Sequence, residues 1–348
     1  MGINIREIAE IANVSPATIS LVLNNRDGVS KEKREKIQQI LEEYGYKKRP
    51  IASNRRGKRD GQKLCILRYS INDRQDICNS ELDAHIIDCL HRFCHELDFQ
   101  ESMIVCNESN FKKTLSSLTF ARSCGYILIG SMLSYEQAAW LDTLPLHGTP
   151  LVVVDNYMMH THISSVSSDN YNISGMIMRQ LKARNVRSVG YLCHETRVPK
   201  LCDRERGFYQ SIERLGMQDT ERVVLRQSPE HAYEDMMRYL KSDALLPEAF
   251  YAETGSLAMI AIRALHECGK QIPKDIFLAS GDNTLMSSLS LPGVLMTSIS
   301  YESICRIALS LVRDQLKDGN TSNNAEHIVI AGKLISSEDD AFCNLSHA

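Results

Sequence analysis

The chain has 348 residues, 43% hydrophobic and 24% charged, with a formal net charge of −3; this is ordinary globular composition and more length than one compact core needs. No apolar run reaches the roughly 18 residues that cross a bilayer, and the start, MGINIREIAEIANVS, lacks a signal peptide's continuous apolar centre, so a cytoplasmic protein with no membrane partner is expected. The 11 cysteines are an odd number with no CxxC or other metal-ligand spacing, which implies reduced thiols, no metal and no cofactor.

Asn4 followed by Glu7 is a capping-box pattern, and Ile5, Ile8, Ala9 and Ala12 recur at helical spacing, which predicts a helix from about Ile5 to Ala12. Ser15 can cap a second helix, with Pro16 in the first turn where its missing N–H is tolerated. That helix runs from Pro16 to Asn24. It can bury Ile19, Val22 and Leu23, which leaves Pro16, Ala17, Ser20 and Leu21 outward, small or apolar where solvent favours charge. A third helix follows from Ser30 as cap, with Ile37, Ile40, Leu41 and Tyr44 on one face and Gly45 as terminator. Two helices joined by a tight turn are the unit that lays its second helix in the DNA major groove; geometry alone leaves a plain helical bundle equally open.

Charge is distributed unevenly. Lys and Arg outnumber Asp and Glu in residues 1–63, and the remainder is acidic. Between Tyr44 and Lys63, the cations Lys47, Lys48, Arg49, Arg55, Arg56, Lys58, Arg59 and Lys63 face only Asp60. Such a run reads as a solvated tether or as a phosphate-binding arm, and its place directly after the helical triplet favours the arm.

From Lys63 onward, strand-like runs (LCILRY, ESMIVC, GYILIG, PLVVVD) alternate with helical stretches such as LDAHIIDCLHRFCHEL, and a second set follows with SVGYL, AFYAE and IFLASGD. This is the pattern of parallel sheets flanked by helices, an α/β fold in two similar lobes with a cleft between them. Ligands in such sheets bind beyond the carboxyl ends of the strands. Asp155, Arg204, Glu253 and Asp282 occupy such places; caps or surface salt bridges are the plainer alternative for each. His160 and His162 lack a third ligand and read as surface loop residues, and Trp140 reads as a packing residue. No G-x-S-x-G elbow, phosphate-cradling loop or triad is readable, so no catalytic residue is expected and an enzyme is not.

The string IREIAEIANVSPATISLVLN, continued by VSKEKREKIQQILEEYGY, resembles the DNA-binding head of the lactose-repressor/galactose-repressor (LacI/GalR) family. Across residues 3–46 it carries Ala9, Ala12, Val14, Ser15, Thr18, Ser20, Val22, Leu23, Asn24, Val29, Ser30, Arg34, Gly45 and Tyr46 in the family's positions. The resemblance implies DNA contacts from Ser15, Pro16, Ala17, Thr18, Ser20, Leu21 and Asn24. It also implies a hinge segment that folds on DNA, here using Lys48, Arg49, Ala52, Arg55 and Arg56. Leu21 stands where the family often has Arg or His, and Arg55 falls where the family has a minor-groove leucine wedge. An arginine suits a narrow, electronegative minor groove better than it unstacks bases, so less bending of the operator is expected.

In the core, the resemblance rests on Asp155, on Ser168-Asp169-Asn170 with Gly175, on Arg204 with Gly207-Phe208, on Ile272-Pro273-Lys274-Asp275-Ile276 and on Asp282. It implies a periplasmic-binding-protein-like core that takes a sugar or related metabolite, with Asp155, Arg204, Glu253 and Asp282 as effector contacts. Glu253 replaces the family's amide and Gly281 its aromatic wall, so a polyol or an amine-bearing ligand is anticipated around a single arginine. The expected organisation is a head at 1–46, a basic hinge at 47–63 and a core at 64–348, split into one lobe of about 64–163 and 298–327 and another of about 164–297 and 328–348. A homodimer on a palindromic double-stranded DNA operator is the implied assembly, with the helix around Leu82 to Leu97 in the dimer contact. The alternative is a ligand-independent repressor or architectural protein whose core only dimerises.

Overall fold

The computed structural model describes residues 9, 11–12, 14, 18–19, 22, 31–43, 62–71, 77–118, 124–283, 293–318 and 325–335. The chain divides into two compact units, residues 1–60 and 61–348.

In the first unit, Ala9, Ile11, Thr18, Ile19 and Val22 are helical, and α1 spans Lys31–Glu43. Ala9, Ala12, Ile19, Val22, Ile37 and Leu41 close a small core, with Val14 and Ile40 packed against it. This is the apolar set that the 3.6-residue periodicity selects. The Val14 N–H donates to the Ala9 carbonyl at 2.9 Å, so the first helix ends in a tight backbone-bonded turn. Leu23, Tyr44 and the whole basic segment 47–61 lie outside the described residues.

The second unit contains two parallel-sheet lobes. The first lobe is built from β1 (Lys63–Ser70), α2 (Ile77–Glu96), β2 (Gln100–Asn107), α3 (Phe111–Ser116), β3 (Cys124–Ile129), α4 (Tyr135–Leu141), β4 (Leu151–Val154) and β5 (Ser164–Ser168). The second lobe follows with α5 (Asn170–Ala183), β6 (Ser188–His194), α6 (Pro199–Leu215), β7 (Gln218–Leu225), α7 (Pro229–Leu240), β8 (Ala249–Ala252), α8 (Gly255–Glu267), β9 (Phe277–Ser280) and β10 (Val294–Ser298). The chain then returns through α9 (Tyr301–Asp318) and β11 (His327–Ile330) to the first lobe and ends its described part in β12 (Lys333–Ile335) of the second.

Strand order is β11-β5-β4-β3-β1-β2 in one sheet and β12-β10-β9-β8-β6-β7 in the other, and β12 is antiparallel to β10. β4 and β8 are buried along their whole length, as continuous apolar strands covered on both faces should be. On α2, Ile86, Leu90, Phe93 and Cys94 face the core, and Trp140 packs on Phe111 with ring centroids 5.6 Å apart. His160 and His162 are exposed. The buried Cys65, Cys89, Cys94, Cys106, Cys193 and Cys305 are free thiols.

The lobe boundaries differ from the sequence expectation. β5 and β11 pair with each other in the first sheet, so the chain leaves that lobe at Asp169 and again after Ile330, a few residues later than the 163/164 and 327/328 divisions. The reason is local: SSVSS is too polar to read as a strand, and only its pairing with β4 and β11 buries it. The three crossings meet one another. The Asp169 N–H donates to the Ile330 carbonyl at 2.9 Å, and Gly332 is set so close to Ile173 that a Cβ would crowd it.

α6 starts with Pro199 in its first turn and stops at Gly216, whose φ of 57° is the left-handed cap that glycine adopts freely. Its close approach to α5 depends on Gly207, where a Cβ would overlap the Tyr171 carbonyl oxygen. Backbone cannot yield as a flexible side chain does, so Gly207→Ala should cost about 1–3 kcal/mol through overpacking. Urea unfolding should show a lower midpoint at unchanged slope; an unaltered midpoint would mean that the two helices are not in tight register.

Candidate functional site

The carboxyl ends of the strands converge on a cleft between the lobes. Asp155 follows β4 directly and takes a φ of 60°, a left-handed conformation that Asp tolerates better than most side chains. Its N–H donates to the Val166 carbonyl at 3.0 Å, which fixes that backbone. The neighbouring Asn156 amide donates to the carbonyls of Gly130 and Leu133 at 3.0 and 3.1 Å, so the loop after β3 is held to the same edge.

Across the cleft, α6 presents Lys200 and Arg204, one helical turn apart and on one face. Lys200 Nζ lies 2.6 Å from Asp155 Oδ2, and both side chains are buried. Arg204 is 1% exposed. Its Nε donates to Asn170 Oδ1 at 2.8 Å and its Nη1 to Asp282 Oδ2 at 2.6 Å and to the Glu253 carbonyl oxygen. Asp282 Oδ1 in turn accepts the Gly255 N–H at 2.6 Å, at the start of α8, where the helix dipole favours a carboxylate. The Arg204 carbonyl accepts from Ser174 Oγ at 2.8 Å, and Tyr251, also 2.8 Å from Ser174 Oγ, stacks on Phe208 with an interplanar angle of 10°. Burial pushes the Tyr251 phenol up to about 12, so it acts as a neutral hydrogen-bonding group.

Glu253 is wholly buried at the end of β8. Its carboxylate accepts from Tyr191 Oη at 3.0 Å, from the His194 N–H at 2.6 Å and from Arg197 Nη1 at 3.0 and 2.7 Å. Burial raises its pKa and Arg197 opposes the rise. Arg197 Nη2 also reaches Glu205 at 2.7 Å, and Arg222 pairs with the other Glu205 oxygen at 2.5 Å.

The expected site residues therefore separate. Arg204, Asp282 and the Glu253 backbone form one network, whereas Asp155 is bound to Lys200. The expectation of several carboxylates around one arginine is corrected: Lys200 and Arg197 supply two further cations, and the Glu253 side chain is fully engaged inside its own lobe. Gly281 has a different reason from the loss of an aromatic wall. A Cβ there would lie 2.7 Å from the Glu253 carbonyl and 2.8 Å from Tyr251 Oη, so no side chain fits. Of the DNA-contacting candidates, Thr18 is helical and half-buried; Ser15, Pro16, Ala17, Ser20, Leu21, Asn24, Lys48, Arg49, Ala52, Arg55 and Arg56 lie outside the described residues.

His194, at the end of β6, was not among the sequence candidates. Its Nε2 is 3.0 Å from Thr254 Oγ1 and its Nδ1 has no partner among the described residues. Burial lowers its pKa from 6.5 to about 4, a shift that Asp282 opposes and Arg197, Lys200 and Arg204 reinforce.

Residues 4–48 match the family model described as bacterial regulatory proteins, lacI family, and residues 178–336 match the periplasmic binding protein-like domain. The HTH-type transcriptional regulator GalR of Streptococcus thermophilus is 26% identical over 320 residues, which cover 89% of this chain and 92% of that protein. Two solved structures share the fold. The transcriptional regulator CelR in its cellobiose complex has a TM-score of 0.66 at 18% identity, covering 96% of this chain and 98% of that one. The lac repressor dimer bound to operator and the anti-inducer ONPF has a TM-score of 0.64 at 19% identity, covering 97% and 98%. The fold is α/β: a helix-turn-helix followed by a periplasmic-binding-protein-like core with parallel sheets.

Neutral His194 has a pH consequence. The unfolded chain protonates this imidazole below about 6.5 and the folded chain only near 4, so the unfolded state binds the extra proton between those values. Stability present above pH 6.5 is lost as pH falls through that window, by about 3 kcal/mol for a shift of this size. Denaturant titrations between pH 7 and 4 should show a steeper loss for the native chain than for His194→Gln; parallel curves would mean that the imidazole is charged in the folded protein.

Proposed function

The chain belongs to the LacI/GalR family of transcriptional regulators, and from that premise we infer that it is a repressor: a homodimer that binds a palindromic operator, with affinity set by a small polar metabolite in the cleft. One observation carries the DNA-binding half. The apolar residues of the head close a core around Ala9, Ile19, Val22, Ile37 and Leu41, with a backbone-bonded turn at Val14. The sequence spacing expects a second helix from about Pro16 to Asn24, and with its cap it offers Ser15, Pro16, Ala17, Thr18, Ser20, Leu21 and Asn24 as the proposed base- and phosphate-contacting set. Lys48, Arg49, Ala52, Arg55 and Arg56 form the hinge, and Arg55 holds the operator's central minor groove by charge.

The effector-sensing half rests on Arg204 and Asp282, which meet at the strand ends with Asp155 facing them from the other lobe. A guanidinium and a carboxylate fixed 2.6 Å apart are a ready pair of donor and acceptor for hydroxyls. CelR in complex with cellobiose supports a sugar or a related polar ligand. The lac repressor dimer on its operator supports a two-fold assembly, and so does the edge strand β2, which exposes Met103 and Val105. The second reading, a core that only dimerises, is favoured by one observation: Asp155, Arg204, Glu253 and Asp282 each already have a partner of opposite charge.

Selection of bound fragments from random DNA should recover a two-fold-symmetric site. Lys48→Ala and Arg56→Ala should weaken binding to every sequence and flatten the salt dependence by about one unit of log–log slope each, because each phosphate contact releases roughly one counterion. Recovery of no enriched sequence would sink the repressor reading. Thermal-shift screening of the full chain against sugars, nucleosides and amines separates sensor from dimerisation module: no shift with any of them, at unchanged DNA affinity, favours the second reading.

A further inference from the structure

The charges that line the cleft fall into two kinds. In the second lobe, Arg204 pairs with Asp282, Arg197 with Glu253 and Arg222 with Glu205, so each of these cations has its carboxylate inside its own lobe. Lys200 is different. Its ammonium stands on the same face of α6 as Arg204 but reaches across to Asp155 of the first lobe, at 2.6 Å, with 6% and 1% of the two side chains exposed. On the first-lobe wall, Asp83 is served by Arg68 at 2.9 Å, and Asp155 takes its cation from the other lobe. Among the described residues, Lys200 and Asp155 thus find their opposite charge across the lobes and not within their own. Asp83, paired with Arg68, also feels the charges of both Lys200 and Asp155.

The backbone is built to aim this pair. Asp155 is locked in the left-handed region by its bond to Val166, and Pro199 starts the helix one residue before Lys200. A lysine buried to this degree without a carboxylate is unfavourable, as is the reverse, so each of the two charges requires the other for as long as the lobes are together and water is excluded.

Resting on the regulatory reading above and deepening it, we propose that Lys200–Asp155 is an internal latch that closes the two lobes without a ligand, so that an effector acts on this protein by replacing or breaking that pair. The ammonium occupies the place beside Asp155 that a bound ligand's polar group would take. Closure is then the resting state, and the inter-lobe pair is the element on which ligand and latch compete.

Hydrogen–deuterium exchange on the full-length chain, free of DNA and of added ligand, tests the latch directly. In the native chain, the cleft peptides 155–163 and 194–203 should be protected. Lys200→Met and Asp155→Asn should each speed exchange there by about tenfold or more, while α7 on the far side keeps its native rate. The double charge swap, Asp155→Lys with Lys200→Asp, should restore protection. Single variants that exchange like the native chain, or a swap that stays as fast as the singles, would overturn the latch. If a single variant exchanges everywhere because it fails to fold, the swap decides alone: a protected cleft supports the proposal, an unprotected one defeats it. Because neither DNA nor effector enters this measurement, its failure leaves the operator-binding reading standing, and a failed operator selection leaves the latch standing.

Discussion

A guanidinium taken almost wholly out of water must find partners for its donors, and Arg204 meets that requirement by drawing four parts of the second lobe together. Asn170 comes from the start of α5, Asp282 from the turn after β9, the Glu253 carbonyl from the end of β8, and Arg204 itself from α6. Leaving such a charge unpaired costs about 3–5 kcal/mol, a large fraction of a domain's total stability. The geometry of the strand ends is therefore set by the arginine as much as by the sheet. Gly281 and Gly207 are consequences of the same constraint: one lets the Asp282 turn pass under Tyr251, and the other lets α6 press against α5.

That constraint explains which parts of the cleft are legible in the sequence. Arg204 can be read from the resemblance of Arg204 with Gly207-Phe208 to the family's core pattern, and Asp155 and Asp282 because each ends an apolar strand run. Lys200 and Arg197 cannot. A lysine four residues before an arginine on a helix reads as a solvated face, and only the placement of the other lobe buries it. Glu253 illustrates the same limit. Its carboxylate at a strand end suggests a ligand contact, yet Arg197, 56 residues earlier in the chain, reaches it from a loop whose sequence carries no sign of that contact. Burial of this kind is a tertiary property with no periodicity to betray it.

The fold itself is written more plainly. Continuous apolar strands and amphipathic helices alternate with enough regularity that the two parallel sheets follow from the pattern. The exception is β5, whose serines are buried in the sheet interior: Ser165 Oγ is 3.0 Å from His327 Nδ1 and also accepts the Met158 N–H at 3.2 Å. Here backbone pairing on both sides, with the Ser165 hydroxyl and the apolar Val166, holds a strand between β4 and β11, while the Ser167 and Ser168 hydroxyls are buried with no partner among the described residues. In the head, the inward residues Ile19, Val22, Ile37 and Leu41 follow helical spacing, so the described part of that core is visible in the sequence.

The cleft's polar groups divide by what they join. Arg204–Asp282, Arg197–Glu253 and Arg222–Glu205 lie within one lobe, so a rigid movement of the lobes leaves them intact and they fix the shape of that wall. The three crossings are tied by the Asp169–Ile330 hydrogen bond and by the close approach of Gly332 to Ile173, contacts made by residues next to any pivot and thus little changed by rotation about it. Lys200–Asp155 is of neither kind. It joins the two lobes directly, and its strength falls with distance once water enters. A two-lobed core needs one such contact for its closure to be decided at the cleft, since a ligand shifts the equilibrium only by interactions that differ between the open and closed arrangements.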